Sequence, residues 1–123
     1  MDTSAREIPP NVQQQILRLQ QLQQSLAVLL TEKQRLEAEL SEVTSALEEI
    51  GKMDDGAVLY KAVGPVLIQT SKEKMVAELT ERRELADTRL KVLERQEARA
   101  RSQIESLQKE VQKLLAGGQP STE

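Results

Sequence analysis

Apolar residues recur in alternating steps of three and four along two long stretches of the chain. The first stripe runs Val12, Gln15, Leu19, Leu22, Leu26, Leu29, Lys33, Leu36, Leu40, Val43, Leu47, Ile50, and ten of these twelve residues are apolar. The second runs Val76, Leu79, Arg83, Ala86, Leu90, Leu93, Glu97, Ala100, Ile104, Leu107, Val111, Leu114, again with ten of twelve apolar. Such spacing, held over more than five repeats, is a coiled-coil heptad: it keeps one narrow stripe turned toward a partner helix. Pro9-Pro10 suits a first helical turn, where a missing N–H costs nothing, and Gly51 suits a C-cap. Helix 1 is therefore expected over 10–50, roughly 60 Å long at about 1.5 Å per residue. Thr70 as N-cap with Glu73 three residues later has capping-box spacing. Helix 2 is expected over 71–115, ended by Gly117-Gly118 and Pro120.

Between the stripes the period changes. Lys52-Met53-Asp54-Asp55-Gly56 reads as a polar linker. Val58-Leu59-Tyr60-Lys61-Ala62 and Val66-Leu67-Ile68-Gln69-Thr70 are β-rich runs, broken by Val63-Gly64-Pro65. Two such runs around a short glycine-containing break predict a β-hairpin over 57–70. Val63, Val66, Leu67 and Ile68 put apolar groups on both of its faces. An isolated hairpin is marginal in water, and this one is too apolar to remain uncovered.

Laid antiparallel, the stripes match throughout. Ile50 meets Val76, Leu47 meets Leu79, Leu36 meets Leu90, and the series continues to Val12 against Leu114. Agreement in both phase and length points to one chain folded back on itself, and argues against a parallel homodimer. The expected fold class is mainly α: a long antiparallel two-helix coiled coil with one β-hairpin between the helices. Residues 1–123 form one domain in this reading, with 1–9 and 116–123 as tails. Lys33 and Glu97 fall in adjacent layers, so an interhelical ion pair is expected to help fix register; snorkelling of both to water is the alternative.

Composition narrows the chemistry. Charged residues make up 30 % of the chain and aromatics 1 %, Tyr60 being the one aromatic. A compact globular core normally uses several aromatics, whereas this composition is that of long helices. There is no cysteine and no histidine, which excludes disulfides, thiolate or imidazole metal ligands, and Ser–His or Cys–His catalysis. The glycines form no phosphate loop or dinucleotide fingerprint. Glu48-Glu49 and Asp54-Asp55 read as a solvated helix end and a turn rather than as acid–base pairs. Arg95, Arg99 and Arg101 are interleaved with Glu94, Glu97 and Glu105, which gives a solvated helix face and no nucleic-acid site. The net charge is −3. The polar N-terminus predicts no signal peptide, and no apolar run approaches a membrane span. The expectation is an intracellular, cytoplasmic protein that is not an enzyme, with no cofactor, no metal, no nucleic acid and no membrane partner.

What remains is surface. From residue 11 to 30 the single charge is Arg18, and Gln13, Gln14, Gln20, Gln21, Gln23 and Gln24 supply most of the polarity. Ile16 and Leu30 flank the stripe, Leu17 points away from it, and Val28 also lies off it. Val111, Leu114 and Leu115 join this end from helix 2. Apolar groups beyond what a partner helix covers suggest a binding surface. Simple fraying, or burial of Leu17 in a further contact, accounts for the same residues.

Taken together, the chain resembles a prefoldin β-type subunit, in its archaeal form. The resemblance extends from Ile8-Pro9-Pro10 to about Leu115. It is carried most specifically by Tyr60-Lys61-Ala62-Val63-Gly64-Pro65-Val66-Leu67 followed by Lys72-Glu73. One hairpin between the helices also marks the β type. The resemblance implies a chaperone working without ATP, in a hetero-hexamer of two α-type and four β-type subunits. It implies assembly through the β-hairpin, here Val58, Tyr60, Val63, Gly64, Val66, Leu67 and Ile68. It further implies capture of unfolded polypeptides at the coiled-coil tips, here Val12, Ile16, Leu17, Leu19, Val111, Leu114 and Leu115, and delivery to a group II chaperonin. A structural coiled-coil adaptor holding one fixed protein partner is the competing expectation.

Overall fold

The structure, a computed structural model, describes residues 8–117. Its elements in chain order are helix α1 (Pro10–Gly51), strands β1 (Leu59–Val63) and β2 (Val66–Thr70), and helix α2 (Lys72–Ala116). The chain divides into two units, one of Glu32–Leu93 and one holding the described residues 8–31 and 94–117. Each contains a length of both helices.

In the unit Glu32–Leu93 the helices run antiparallel, since Glu32 pairs with Arg89 and Glu39 with Arg82. Leu36 and Val43 of α1 and Leu79, Ala86 and Leu93 of α2 are buried. Leu40, Leu47, Ile50, Val76 and Leu90 are half-buried. These are the heptad positions, so the three-four spacing does place one stripe per helix inside. Burying one such Val or Leu fully is worth about 1.5–3 kcal/mol, which is the main force holding the pair. Arg83 is the exception. It occupies a stripe position yet is exposed, because its long stem lets the guanidinium reach water. The two ion pairs use residues immediately before stripe positions, and so rim the seam. Glu32 Oε2 accepts from both Arg89 Nη2 (2.8 Å) and Arg89 Nε (3.2 Å), and the Arg35 guanidinium lies 3.6 Å away. The Arg89 hydrogen bonds hold the Glu32 carboxyl below the usual carboxylate range, with the charges of Arg89 and Arg35 adding to the effect and partial burial opposing it.

Both helix ends at the hairpin differ from expectation. Gly51 is the last residue of α1 rather than a left-handed cap. Instead Lys52 N–H and Met53 N–H donate to Glu49 and Ile50 carbonyls in tight i→i+3 turns. The last turn of α1 carries no basic residue of its own. Lys72, at the start of α2, supplies one: its Nζ donates to Met53 O at 2.7 Å and lies 3.5 Å from Gly51 O and 3.4 Å from Asp55 Oδ1. A cation over exposed C-terminal carbonyls satisfies orphan acceptors and opposes the helix dipole. The N-cap of α2 is Ser71, not Thr70. Lys74 N–H donates to Ser71 Oγ at 3.1 Å, while Thr70 is engaged as the last strand residue, paired with Leu59. The residue three past the true cap is Lys74, so no capping box forms.

The strands pair antiparallel, from Leu59 with Thr70 to Val63 with Val66, around a two-residue loop. Gly64 has φ +56°. A positive φ at the first loop position followed by Pro65, whose ring fixes φ near −65°, is a type II′ turn, whose twist suits a hairpin. Val58, expected in the hairpin, lies just before β1.

In the other unit, Val12 of α1 and Ala100, Ile104, Leu107 and Val111 of α2 are buried. Gln15, Leu19, Leu22, Leu26, Leu29, Glu97 and Leu114 are half-buried. The start of α1 is closed by Pro9, whose carbonyl accepts from Val12 N–H (3.0 Å) and Gln13 N–H (2.9 Å). The Gln13 side-chain amide reaches back to Ile8 O at 2.8 Å. Glu97 accepts from Arg101 Nε at 2.9 Å, one turn further along α2.

Candidate functional site

Half of the large apolar side chains found exposed among the described residues sit in or beside the hairpin: Val58, Tyr60, Val63, Val66, Leu67 and Ile68, between 43 % and 70 % open. β-Branched and aromatic residues favour the strands, and the type II′ turn fixes their register. Alternation then puts Leu59, Lys61, Val63, Val66, Ile68 and Thr70 on one face, and Tyr60, Ala62, Leu67 and Gln69 on the other. On the first face the base is partly covered, since Leu59, Lys61 and Thr70 are half-buried. The second face is open throughout. The sheet has two strands only, so each has an outer edge with unpaired N–H and C=O groups. Apolar faces and two free edges on one small element are suited to pairing with further strands.

Charge is almost absent from this surface. Between residues 58 and 70 the single ionisable cation is Lys61. Its Nζ donates to both carboxylate oxygens of Glu78 in α2, at 3.1 and 3.2 Å. The hairpin's one charge is thereby turned back onto its own helix. Neither this contact nor the Lys72 clamp was foreseen from sequence. Lys61 stands out there only as a lone charge in an apolar run, and its partner lies 17 residues away.

The other candidate surface, at the Pro10 end of α1, divides differently from expectation. Val12 is 2 % exposed and Val111 7 %; both are stripe residues facing the opposite helix and offer no open surface. Ile16, Leu19 and Leu114 are half-buried. Leu17 and Leu115 are exposed, as is Ile8. The six glutamines 13, 14, 20, 21, 23 and 24 are all exposed on α1, the helix that carries Leu17. The open part is therefore Leu17, on a glutamine-rich helix face with Arg18 beside it, and Leu115, with exposed Lys113 one half-turn before it.

Among the described residues no group of three or more acidic side chains could hold a metal ion, and no helix is long and apolar enough to cross a membrane.

The family described as prefoldin subunit matches residues 13–118. The chain belongs to the prefoldin β-subunit family. It is 43 % identical over 110 residues to prefoldin subunit beta of Archaeoglobus fulgidus, covering 89 % of this chain and 95 % of that one. It is 43 % identical over 115 residues to prefoldin subunit beta of Sulfurisphaera tokodaii, covering 94 % and 92 %. The crystal structure of the prefoldin beta subunit from Thermococcus strain KS-1 superimposes with a TM-score of 0.82 at 39 % identity, covering 94 % of this chain and 98 % of that one. Family membership makes this a chaperone subunit, of the β type that accompanies α-type subunits in a hetero-oligomeric prefoldin. Two helices with a single antiparallel hairpin between them are what the family's β structure has as well.

Proposed function

We propose that this chain is a subunit of an ATP-independent chaperone in the cytoplasm, capturing non-native polypeptides and passing them to a group II chaperonin. It works in a hexamer of two α-type and four β-type subunits. Its hairpin residues Tyr60, Val63, Val66, Leu67 and Ile68 join neighbouring strands, with Gly64 setting the turn. Closing hairpins into a barrel removes the free edges and covers the apolar faces. Capture belongs to the Pro10 end of α1, through Leu17 and Leu115, with Ile16, Leu19 and Leu114 available where the helix ends loosen.

The observation that carries the capture reading is that pair of exposed leucines, with a glutamine-rich stretch of α1 whose single charge from 11 to 30 is Arg18. On α1 such a surface meets exposed apolar side chains with little selection by charge. Each leucine contributes about 1–2 kcal/mol when covered, too little for one tip to hold a client. Several tips acting together multiply weak contacts into useful avidity, while each contact remains easily broken. Release then requires no nucleotide.

The test is suppression of aggregation when a chemically unfolded enzyme is diluted into the assembled hexamer. Leu17→Gln combined with Leu115→Gln is expected to weaken suppression about ten-fold, with the hexamer intact by native mass measurement. Removing residues 11–17 and 111–115 together is expected to abolish it. Full suppression by both variants would refute capture at this end and favour a structural adaptor.

A further inference from the structure

We infer that the Lys61–Glu78 contact is a latch that presets the angle at which the hairpin meets its neighbours, so that these two residues position the assembly surface without belonging to it. The inference rests on the reading that the hairpin is the assembly site.

The hairpin is attached at two points of unequal stiffness. Between β2 and α2 there is one residue, Ser71, whose side chain caps the helix. Between α1 and β1 there are seven, 52–58, which include an Asp54–Ala57 turn. The hairpin can therefore pivot about Ser71 unless a further contact holds it. Apart from half-buried Leu59 at the base, its apolar side chains do little of this work, because from Tyr60 to Ile68 every one is exposed. Lys61 ties the outer part of the strands to α2: both oxygens of Glu78 lie within 3.2 Å of its Nζ. Glu78 stands seven residues beyond Ser71 along α2, so the contact forms the third side of a triangle with β2 and the first two turns of the helix. Closing it fixes which face is presented, with Tyr60 and Leu67 outward. It also withdraws the hairpin's one cation from a surface that must be desolvated on pairing, where an unmatched charge would oppose association.

A partly exposed ion pair of this kind changes the population of a docked orientation about two- to five-fold. Lys61→Met and Glu78→Gln are each expected to raise the subunit concentration for half-assembly with the cognate α-type subunit by that factor, at low salt. The two changes act oppositely on the hairpin's polarity: Lys61→Met makes it more apolar, and Glu78→Gln leaves its cation unmatched. A shift in the same direction therefore identifies the latch and not surface greasiness. The exchanged pair, Lys61→Glu with Glu78→Lys, is expected to restore assembly. At about 1 M salt, where screening reaches within 3 Å, wild type and single variants should converge. Helicity at 222 nm should be equal in all, since neither side chain is in the seam. Leu67→Asp serves as the reference. Should it assemble normally, the hairpin is not the assembly site and the latch falls with that reading. Should it block assembly while Lys61→Met and Glu78→Gln assemble as wild type, the latch alone is refuted. Loss with Lys61→Met but not Glu78→Gln also refutes it, because Lys61 would then be touching a neighbouring subunit directly.

Discussion

Lys72→Met removes the one cation that covers the C-terminal end of α1 while keeping a stem of similar length and apolarity. Its effect can be built from three contacts. The Asp55 carboxylate at 3.4 Å is fully exposed, and an ion pair with such a partner adds almost nothing. The Gly51 carbonyl at 3.5 Å is at the limit of hydrogen bonding. The Met53 carbonyl at 2.7 Å is a short, charge-assisted bond, and bonds of this type contribute about 1.5–3 kcal/mol when well shielded. Lys72 is 20 % exposed, but residues 51 and 53 are open to water, so the freed carbonyls can be rehydrated and the lower end applies. A favourable dipole contribution of about 0.3–1 kcal/mol is lost as well. Glu48 and Glu49, wrongly signed for a C-terminus, are then left with Lys52 alone nearby. The sum is about 1.8–2.5 kcal/mol. Urea titration followed at 222 nm should show it as a lower midpoint with unchanged slope. Amide exchange at Lys52 and Met53, whose N–H groups close the final turns, should quicken by about ten-fold. Asp55→Asn should change neither. A Lys72→Met midpoint equal to wild type, or an Asp55→Asn effect as large as that of Lys72→Met, would refute the capping account.

Two further outcomes follow from the seam and its rim. Leu93→Ala, at a side chain 2 % exposed, should cost about 2–4 kcal/mol by thermal or urea unfolding. Leu85→Ala, at a side chain 65 % exposed on the same helix, should stay within about 0.5 kcal/mol. Glu32 governs an acid limb: its carboxyl is held low by Arg89, so its contribution is complete above the ordinary glutamate value of about 4.3. That contribution disappears as pH falls through the lower folded value. Unfolding measured between pH 7 and pH 2 should show wild type losing its advantage over Glu32→Gln only below about pH 4.3, and an advantage constant across the range would contradict this.

The helices were legible because their signal is periodic and local. Stripe residues such as Leu36, Val43, Leu79 and Leu93 are buried where a three-four spacing puts them. The ends were not, because other elements decide them. Gly51 has no left-handed cap since Lys72, 21 residues on, answers the carbonyls. Thr70 cannot cap since the strand ladder claims its backbone. The rim pairs Glu32–Arg89 and Glu39–Arg82 could have been found: each helix repeats its charge at seven residues, acidic in one and basic in the other. The hairpin's apolar character was plain in its composition. At the other candidate surface the resemblance implies capture by the stripe residues Val12 and Val111 too, although the same periodicity that places them on the stripe turns them inward.

The constant spacing of those rim pairs bears on how such a chain can change length. Glu32 and Glu39 are one heptad apart, and so are Arg82 and Arg89. Excising 33–39 together with 83–89 would bring Leu40 and Leu90 into the vacated stripe places and leave Glu32 facing Arg82. Removing the same number of residues from one helix alone would keep the stripe in phase but re-pair every layer beyond the cut with a partner one heptad away. Within this unit, insertions and deletions are thus inheritable only as matched sevens, one in each arm, whereas the linker 52–58 is free of that arithmetic.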